Sequence, residues 1–157
     1  MELNAIAAHH AAITQKLNQI ATDSGLHSLL VMQSMPNEMV VFAANTQEIY
    51  SPGDAGPKSN QAGCHELYCE RVIDTNQPLL VGDARTDAEW QGNEDLVKFD
   101  LGTYYGVPIH CQGQAVGTVC ALNRSPVDFH QGRPSVVEQI DALRAEIEAL
   151  LHQESAR

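Results

Sequence analysis

Leu3, Ile6, His10, Ile13, Leu17 and Ile20 recur at spacings of three and four. That period gathers them on one face of a helix predicted over residues 1–24 and closed by Ser24-Gly25. "LHSLLVMQSM" and "EMVVFAAN" then read as two strands around the turn Pro36-Asn37. "GTYYGVPIHCQGQAVGTVCALN", residues 102–123, is a second hairpin around Gln112-Gly113, expected at the sheet centre. A two-residue turn pairs Cys111 with Gln114 and Cys120 with Tyr105. This register puts Tyr105, Val107 and Ile109 on one face with Val116, Thr118 and Cys120, and Tyr104 on the other; Pro108 leaves the pairing locally open. Val136, Ile140, Leu143, Ile147 and Leu150 form a last seam, on a helix over 134–154. Two heptads are too few for an autonomous coiled coil, so this seam is expected to pack on the N-terminal helix of the same or a second subunit.

The middle of the chain is less regular. Residues 46–62 are rich in turn formers and long for a connection, which suits a lid over a pocket or a disordered loop. From Cys64 to Asn76 the pattern is helical, with Cys64, His65, Tyr68, Cys69, Val72 and Ile73 facing inward and Glu66, Glu70 and Asp74 outward. "PLLV" is a short strand begun by Pro78. "RTDAEWQGNEDLVKF" suggests short helical turns over the sheet, with Trp90, Leu96 and Val97 as its isolated apolar positions.

The length of 157 residues and the 43% apolar content fit one globular domain, 1–157, without repeats or low-complexity tracts. Nine basic against twenty acidic residues give a net charge of −11, which disfavours nucleic acid and anionic membranes as partners. The N-terminus lacks a basic stretch followed by an apolar run, and no segment is long and apolar enough to span a bilayer. A cytoplasmic protein is the expectation. The four cysteines contain no C-x-x-C pair. Five helical residues would separate Cys64 and Cys69 by about 7.5 Å of rise, beyond disulfide reach. His65 and Cys69, four apart, supply at most two ligands where zinc takes three or four, so no metal is assigned.

The order of elements, with "YCERVIDTNQPLLVGDARTDAEWQGN" (68–93) and "GTYYGVPIHCQGQAVGTVCALN" (102–123), resembles the GAF domain of bacterial sensor kinases and cyclic-dinucleotide-signalling proteins. The resemblance implies an α+β domain, expected to stand alone because the sequence carries no attached kinase, cyclase or DNA-binding segment. Its antiparallel sheet would have five or six strands, with the terminal helices on one face and a pocket under loops and short helices on the other. It also implies small-molecule sensing without catalysis or a cofactor, a homodimer through the terminal helices, and a downstream signalling protein. The Cys64-His65 pair precedes "PLLV", whereas bilin-binding members carry such a pair before a Val-Pro-Ile strand, so no chromophore is assigned. Phe129 matches one position of the cyclic-nucleotide motif, but Arg133 and Pro134 stand where that motif has Asp-Glu.

The predicted ligand site lies between the sheet and residues 46–98, lined by Tyr50, Cys64, His65, Tyr68, Cys69, Asp83, Trp90, Tyr105, Thr118 and Cys120. Aromatic walls with a few polar groups are what a small-molecule pocket needs. Cys64, Tyr68 and Cys120 suit an ordinary core equally well, and Trp90 is better read as packing over the sheet. Asp83 and Asp87 are better read as turn and cap residues. One enzyme of the family, the free methionine-(R)-sulfoxide reductase, is the alternative; the chain lacks its Val-Cys-Gly and Ala-Cys-Asp segments, and Cys64 and Cys69 would carry its thiol chemistry. A structural dimerisation domain with a vestigial pocket is the third reading.

Overall fold

The computed structural model describes residues 2–45 and 49–155. A 3-10 turn, Glu2–His9, leads into helix α1, His10–Ser24, followed by strands β1, Ser28–Ser34, and β2, Glu38–Ala44. The middle holds β3, Ala55–Pro57, helix α2, Tyr68–Thr75, β4, Leu79–Val81, a 3-10 turn, Ala84–Thr86, and helix α3, Glu94–Phe99. The chain ends with β5, Thr103–Cys111, β6, Gln114–Asn123, and helix α4, Val136–Ser155. The strands form one six-stranded antiparallel sheet in the order β3-β2-β1-β6-β5-β4. This is the expected α+β architecture, with the predicted hairpins intact.

The terminal seams are used within the chain. Leu3, Ile6, Ile13, Leu17 and Ile20 meet Ile140, Leu143 and Ile147 on one sheet face, over Leu29, Val31, Val107, Val119 and Ala121. Each such side chain contributes about 1.5–3 kcal/mol on burial. The last seam position of α4 is Leu151, and the predicted Leu150 is only partly buried, because the helical period is 3.6 rather than 3.5. Among the described residues the exposed large apolar ones, Leu80, Val97 and Val127, lie off both terminal helices, so the seams themselves do not argue for a second copy. The N-terminal segment is not one helix: non-helical angles at Ile6 interrupt it, and α1 proper starts at His10, whose Nε2 lies 3.0 Å from the Phe42 carbonyl oxygen.

Two corrections fall in the middle. The 46–62 segment, of which Thr46, Gln47 and Glu48 lie outside the described residues, contains the edge strand β3, concealed in the sequence by Gly56 and Pro57. Helix α2 begins at Tyr68, not Cys64, because Leu67 is extended and its N–H donates to the Glu70 carboxylate at 3.1 Å. Glu70, assigned to the outer face, is therefore buried; it also accepts from the Ser59 N–H at 3.0 Å and bonds the Ser59 hydroxyl.

The central hairpin departs from the two-residue-turn register. Gln112 and Gly113 both have positive φ, and Cys111 pairs with Gln114 as expected. After His110↔Ala115, however, Ile109 pairs with Gly117, so Val116 is an extra residue on β6. Beyond this bulge Cys120 faces Gly106, and Thr118 and Cys120 turn to the face of Tyr104, away from Tyr105. At the bulge Gly117 lies so close to β1 that a Cβ there would overlap the Met32 carbonyl oxygen. Gly117→Ala is expected to destabilise the fold by about 2 kcal/mol or more, read as a lower urea midpoint with an unchanged m-value.

Candidate functional site

On the sheet face opposite α1 and α4 lies a cavity of about 250 Å³. Its floor is Leu30 and Met32 of β1, Met39 and Val41 of β2 and Leu122 of β6; Leu67 and Cys69 of the α2 region, Gly56 of β3 and Phe99 of α3 wall it. Strand alternation aims these side chains at one face, and it is the same alternation that sends Leu29, Val31 and Val119 to the terminal helices. The polar lining includes Tyr50, Asp54, Glu94, Asp95 and Lys98.

Asp95 is held inward by the start of α3. Asn93 Oδ1 accepts from the N–H groups of Asp95 and Leu96 at 2.9 and 3.3 Å, and Asn93 Nδ2 donates to the Glu66 carbonyl at 2.8 Å. Asp95 then accepts the Tyr50 hydroxyl at 2.5 Å. Burial pushes the Asp95 carboxyl up to about 6, partly offset by the Tyr50 bond. Burial and the Asp95 charge raise the Tyr50 phenol far above its ordinary range.

Beneath Cys69 sits a second polar group. The sulfurs of Cys69 and Cys120 are 3.7 Å apart, and the Tyr104 hydroxyl is 3.3 Å from Cys69 Sγ. Tyr104 reaches it by lying along its own strand over Gly106, where a Cβ would collide with the phenol. The Thr118 hydroxyl, buried without a well-formed hydrogen bond, adjoins both sulfurs. The Cys120 thiol and the Thr118 and Tyr104 hydroxyls favour the Cys69 anion against the effect of burial, which drives the Cys120 thiol upward.

Of the predicted site residues, Tyr50 and Cys69 line the cavity, with Thr118 and Cys120 directly behind Cys69. Tyr68 and Trp90 are buried, with their rings tilted against each other at a centroid distance of 5.0 Å; Tyr68 donates to the Leu101 carbonyl, and the Arg71 guanidinium covers Trp90 at 4.7 Å. Neither lines the cavity. Asp83 accepts the Arg85 N–H at 3.1 Å, the turn role, and Asp87 accepts that of Glu89 at 3.1 Å. Tyr105 is a correction: it lies on the helix face, where its ring and that of the buried Phe129 are 5.9 Å apart. Cys64 and His65 are two more. They precede α2 and border a separate groove with Gly92 and Val97, because the helix starts four residues later than the periodicity suggests. Asp95, Gly56, Met32, Met39 and Phe99 were not predicted. Strand alternation in β1 and β2 carries the signal for both methionines, whereas nothing local marks Asp95.

The family model described as GAF domain matches residues 5–145, and the chain belongs to this family. No curated protein sequence matches it significantly. Among solved structures it is similar to the GAF domain of an Acinetobacter phosphoenolpyruvate-protein phosphotransferase, with 15% identity, TM-score 0.66 and coverage of 94% of this chain and 84% of that one. It is also similar to residues 122 to 287 of a methyl-accepting chemotaxis protein, with 13% identity, TM-score 0.67 and 99% of both chains covered. A third is the type II free methionine-R-sulfoxide reductase of Thermoplasma acidophilum, with 10% identity, TM-score 0.62 and coverage of 97% and 95%. At these identities the likeness is one of fold. Among the described residues no helix is long and apolar enough to cross a membrane.

The raised Asp95 pKa has a definite sign. The folded chain holds this proton more tightly than the unfolded chain, so the group's contribution to stability is fully present below about 3.9 and is lost as pH rises through about 6. Asp95→Asn removes this dependence. In urea unfolding, the stability of the variant relative to the parent is expected to rise between pH 4 and 7; parallel curves would assign the proton elsewhere.

Proposed function

We propose that this GAF domain binds a compact small molecule in the cavity between the sheet and residues 49–99 and acts as a sensing module. The observation that carries the reading is the cavity itself: apolar on most sides, with a half-buried Tyr50–Asp95 pair at one point of its wall. Perturbed titratable groups in a concave apolar site are the pattern of a ligand site, since they orient what the apolar wall only encloses. Its volume lies just under the roughly 300–1,000 Å³ of drug-sized sites, which favours a small metabolite over a dinucleotide.

Ligand held against α2, β3 and α3 would favour one arrangement of these segments, a population shift. A physical link toward the output side exists. Asn76, which caps α2 in a left-handed conformation, lies with Oδ1 2.6 Å from His110 Nε2, and His110 Nδ1 is 3.0 Å from the Glu148 carboxylate of α4. A second copy or a downstream protein reading α4 would sense this chain of bonds.

The sulfoxide reductase is a second reading, favoured by one observation, the Cys69–Cys120 pair. The pair replaces the expected Cys64–Cys69, since Cys64 Sγ has the Ala62 carbonyl as its neighbour at 3.8 Å. A thioredoxin-coupled assay with free methionine sulfoxide tests it; the binding module is expected to consume no NADPH.

Gly56 is the handle for the binding reading. A Cβ there would sit 3.5 Å from Glu94 Oε2 and 3.6 Å from Leu67 Cδ1, so Gly56→Phe places its ring toward the cavity without a backbone clash. In a metabolite thermal-shift screen, a ligand at 100 times its Kd contributes about 2.7 kcal/mol, which raises the midpoint by roughly 5–10 °C. The same compound is expected to leave Gly56→Phe unshifted. An equal response in both proteins would place the ligand elsewhere.

A further inference from the structure

We infer that Cys69 and Cys120 are a reactive dithiol, which a small hydroperoxide entering the cavity converts to a disulfide joining α2 to β6. The proposal holds whether or not the cavity also takes a metabolite.

Three features of the pair carry it. The sulfurs are already in contact at 3.7 Å, so bonding at about 2.05 Å asks for less than 2 Å of further approach. The two thiols are unequal in access: Cys69 lines the cavity, whereas Cys120 is fully buried behind it and absent from the lining. Cys69 is thus the thiol an oxidant meets, and Cys120 is the thiol placed to resolve the product. The surroundings add the third feature. The Tyr104 hydroxyl at 3.3 Å and the adjoining Thr118 hydroxyl are hydrogen-bond donors in a buried place that core packing alone would fill with apolar atoms. Both favour a Cys69 anion, which is the nucleophilic form.

The step balances as two thiols and one hydroperoxide giving one disulfide, one alcohol and one water. Cys69 thiolate attacks the terminal peroxide oxygen and the O–O bond breaks. The departing alkoxide takes a proton, and Cys69 becomes a sulfenic acid. Cys120 sulfur then attacks the Cys69 sulfur, the S–O bond breaks, and hydroxide leaves as water with the Cys120 proton. The two thiols lose two electrons and the peroxide gains them.

Cys64 and Cys111 are partly exposed and serve as internal references in the same molecule. The test treats the full chain with a small excess of cumene or tert-butyl hydroperoxide, quenches, and counts thiols under denaturing conditions. The count is expected to fall from four to two, with peptide mapping joining the Cys69 and Cys120 peptides and reductant restoring all four. In Cys120→Ser, oxidation is expected to stop at a Cys69 sulfenic acid that dimedone traps. Gly56→Phe, whose Cβ would have Glu94 and Leu67 rather than either sulfur as neighbours, is expected to slow the loss at least tenfold by filling part of the cavity. Four titratable thiols after treatment, loss confined to Cys64 and Cys111, or an unchanged rate in Gly56→Phe would each overturn the proposal. Mapping on the unsubstituted protein decides the linkage even if a variant fails to fold. None of these readouts involves a metabolite, so the ligand reading and this one fail separately.

Discussion

The site rests on one extra residue in β6. Without the bulge at Val116, the two-residue turn at Gln112-Gly113 would carry Thr118 and Cys120 under the terminal helices and bring Val119 and Ala121 to the cavity side. With it, Val119 and Ala121 complete the apolar layer beneath α1 and α4, and Cys120 comes to lie against Cys69. The shift needs close strand approach, and Gly117 provides it where Met32 crosses. Two cysteines 51 positions apart thus meet through a change of one in register.

Buried polar groups then fix what the strands leave open. Glu70 fastens the segment after β3 to the entry of α2, and Asn93 fastens α3 to Glu66, just ahead of α2. Asn45 plays the same part at the end of β2, accepting the Leu29 N–H at 2.8 Å and donating to the His27 carbonyl at 3.2 Å. On the other face, the buried Gln33 carboxamide accepts the Leu3 N–H and donates to the Val116 carbonyl, tying the N-terminal turn to the bulge. Each of these side chains satisfies backbone groups that would otherwise be buried unpaired, at a cost of about 1–3 kcal/mol apiece. In a chain of net charge −11, the inward-facing carboxylates of Asp95 and Glu70 accept hydrogen bonds from hydroxyl and N–H donors.

The terminal helices and the two hairpins were legible from period, while their assembly into one antiparallel sheet was implied by the resemblance to GAF domains. The seams of α1 and α4, the two hairpins and the strand at "PLLV" each repeat a simple pattern over enough residues to exceed chance. What was not legible depends on contacts distant in sequence. Strand β3 exists because β2 offers it an edge, not because Ala-Gly-Pro favours extension. Helix α2 starts late because Glu70 reaches back to Leu67, a choice the apolar spacing of Cys64, Tyr68 and Val72 does not encode. Asp95 sits in a polar stretch like any solvent-facing acid, and only Tyr50, 45 residues away, reveals that it points inward. Of the predicted site residues, the strands and α2 bring Cys69, Thr118 and Cys120 to the cavity side, while periodicity assigned Cys64, His65 and Tyr105 to a face they do not occupy.

The same bulge bears on how the two faces communicate. A six-stranded sheet separates the cavity from α4, so coupling between them needs a physical route across or around it. At the turn end of the hairpin, however, His110 stands beside the irregular pair and reaches both ways around the sheet, to Asn76 at the end of α2 and to Glu148 on α4. The His110 N–H also donates to Glu148 at 2.7 Å, so this carboxylate reads the backbone of β5 as well as the ring. Helix α2 begins at the cavity wall with Leu67 and Cys69 and ends at this contact. A rotation of α2 on ligand binding, or its attachment to β6 through sulfur, would act at one end of the helix and be felt by Glu148 at the other. His110 is thus the residue through which the helix of Cys69 touches α4.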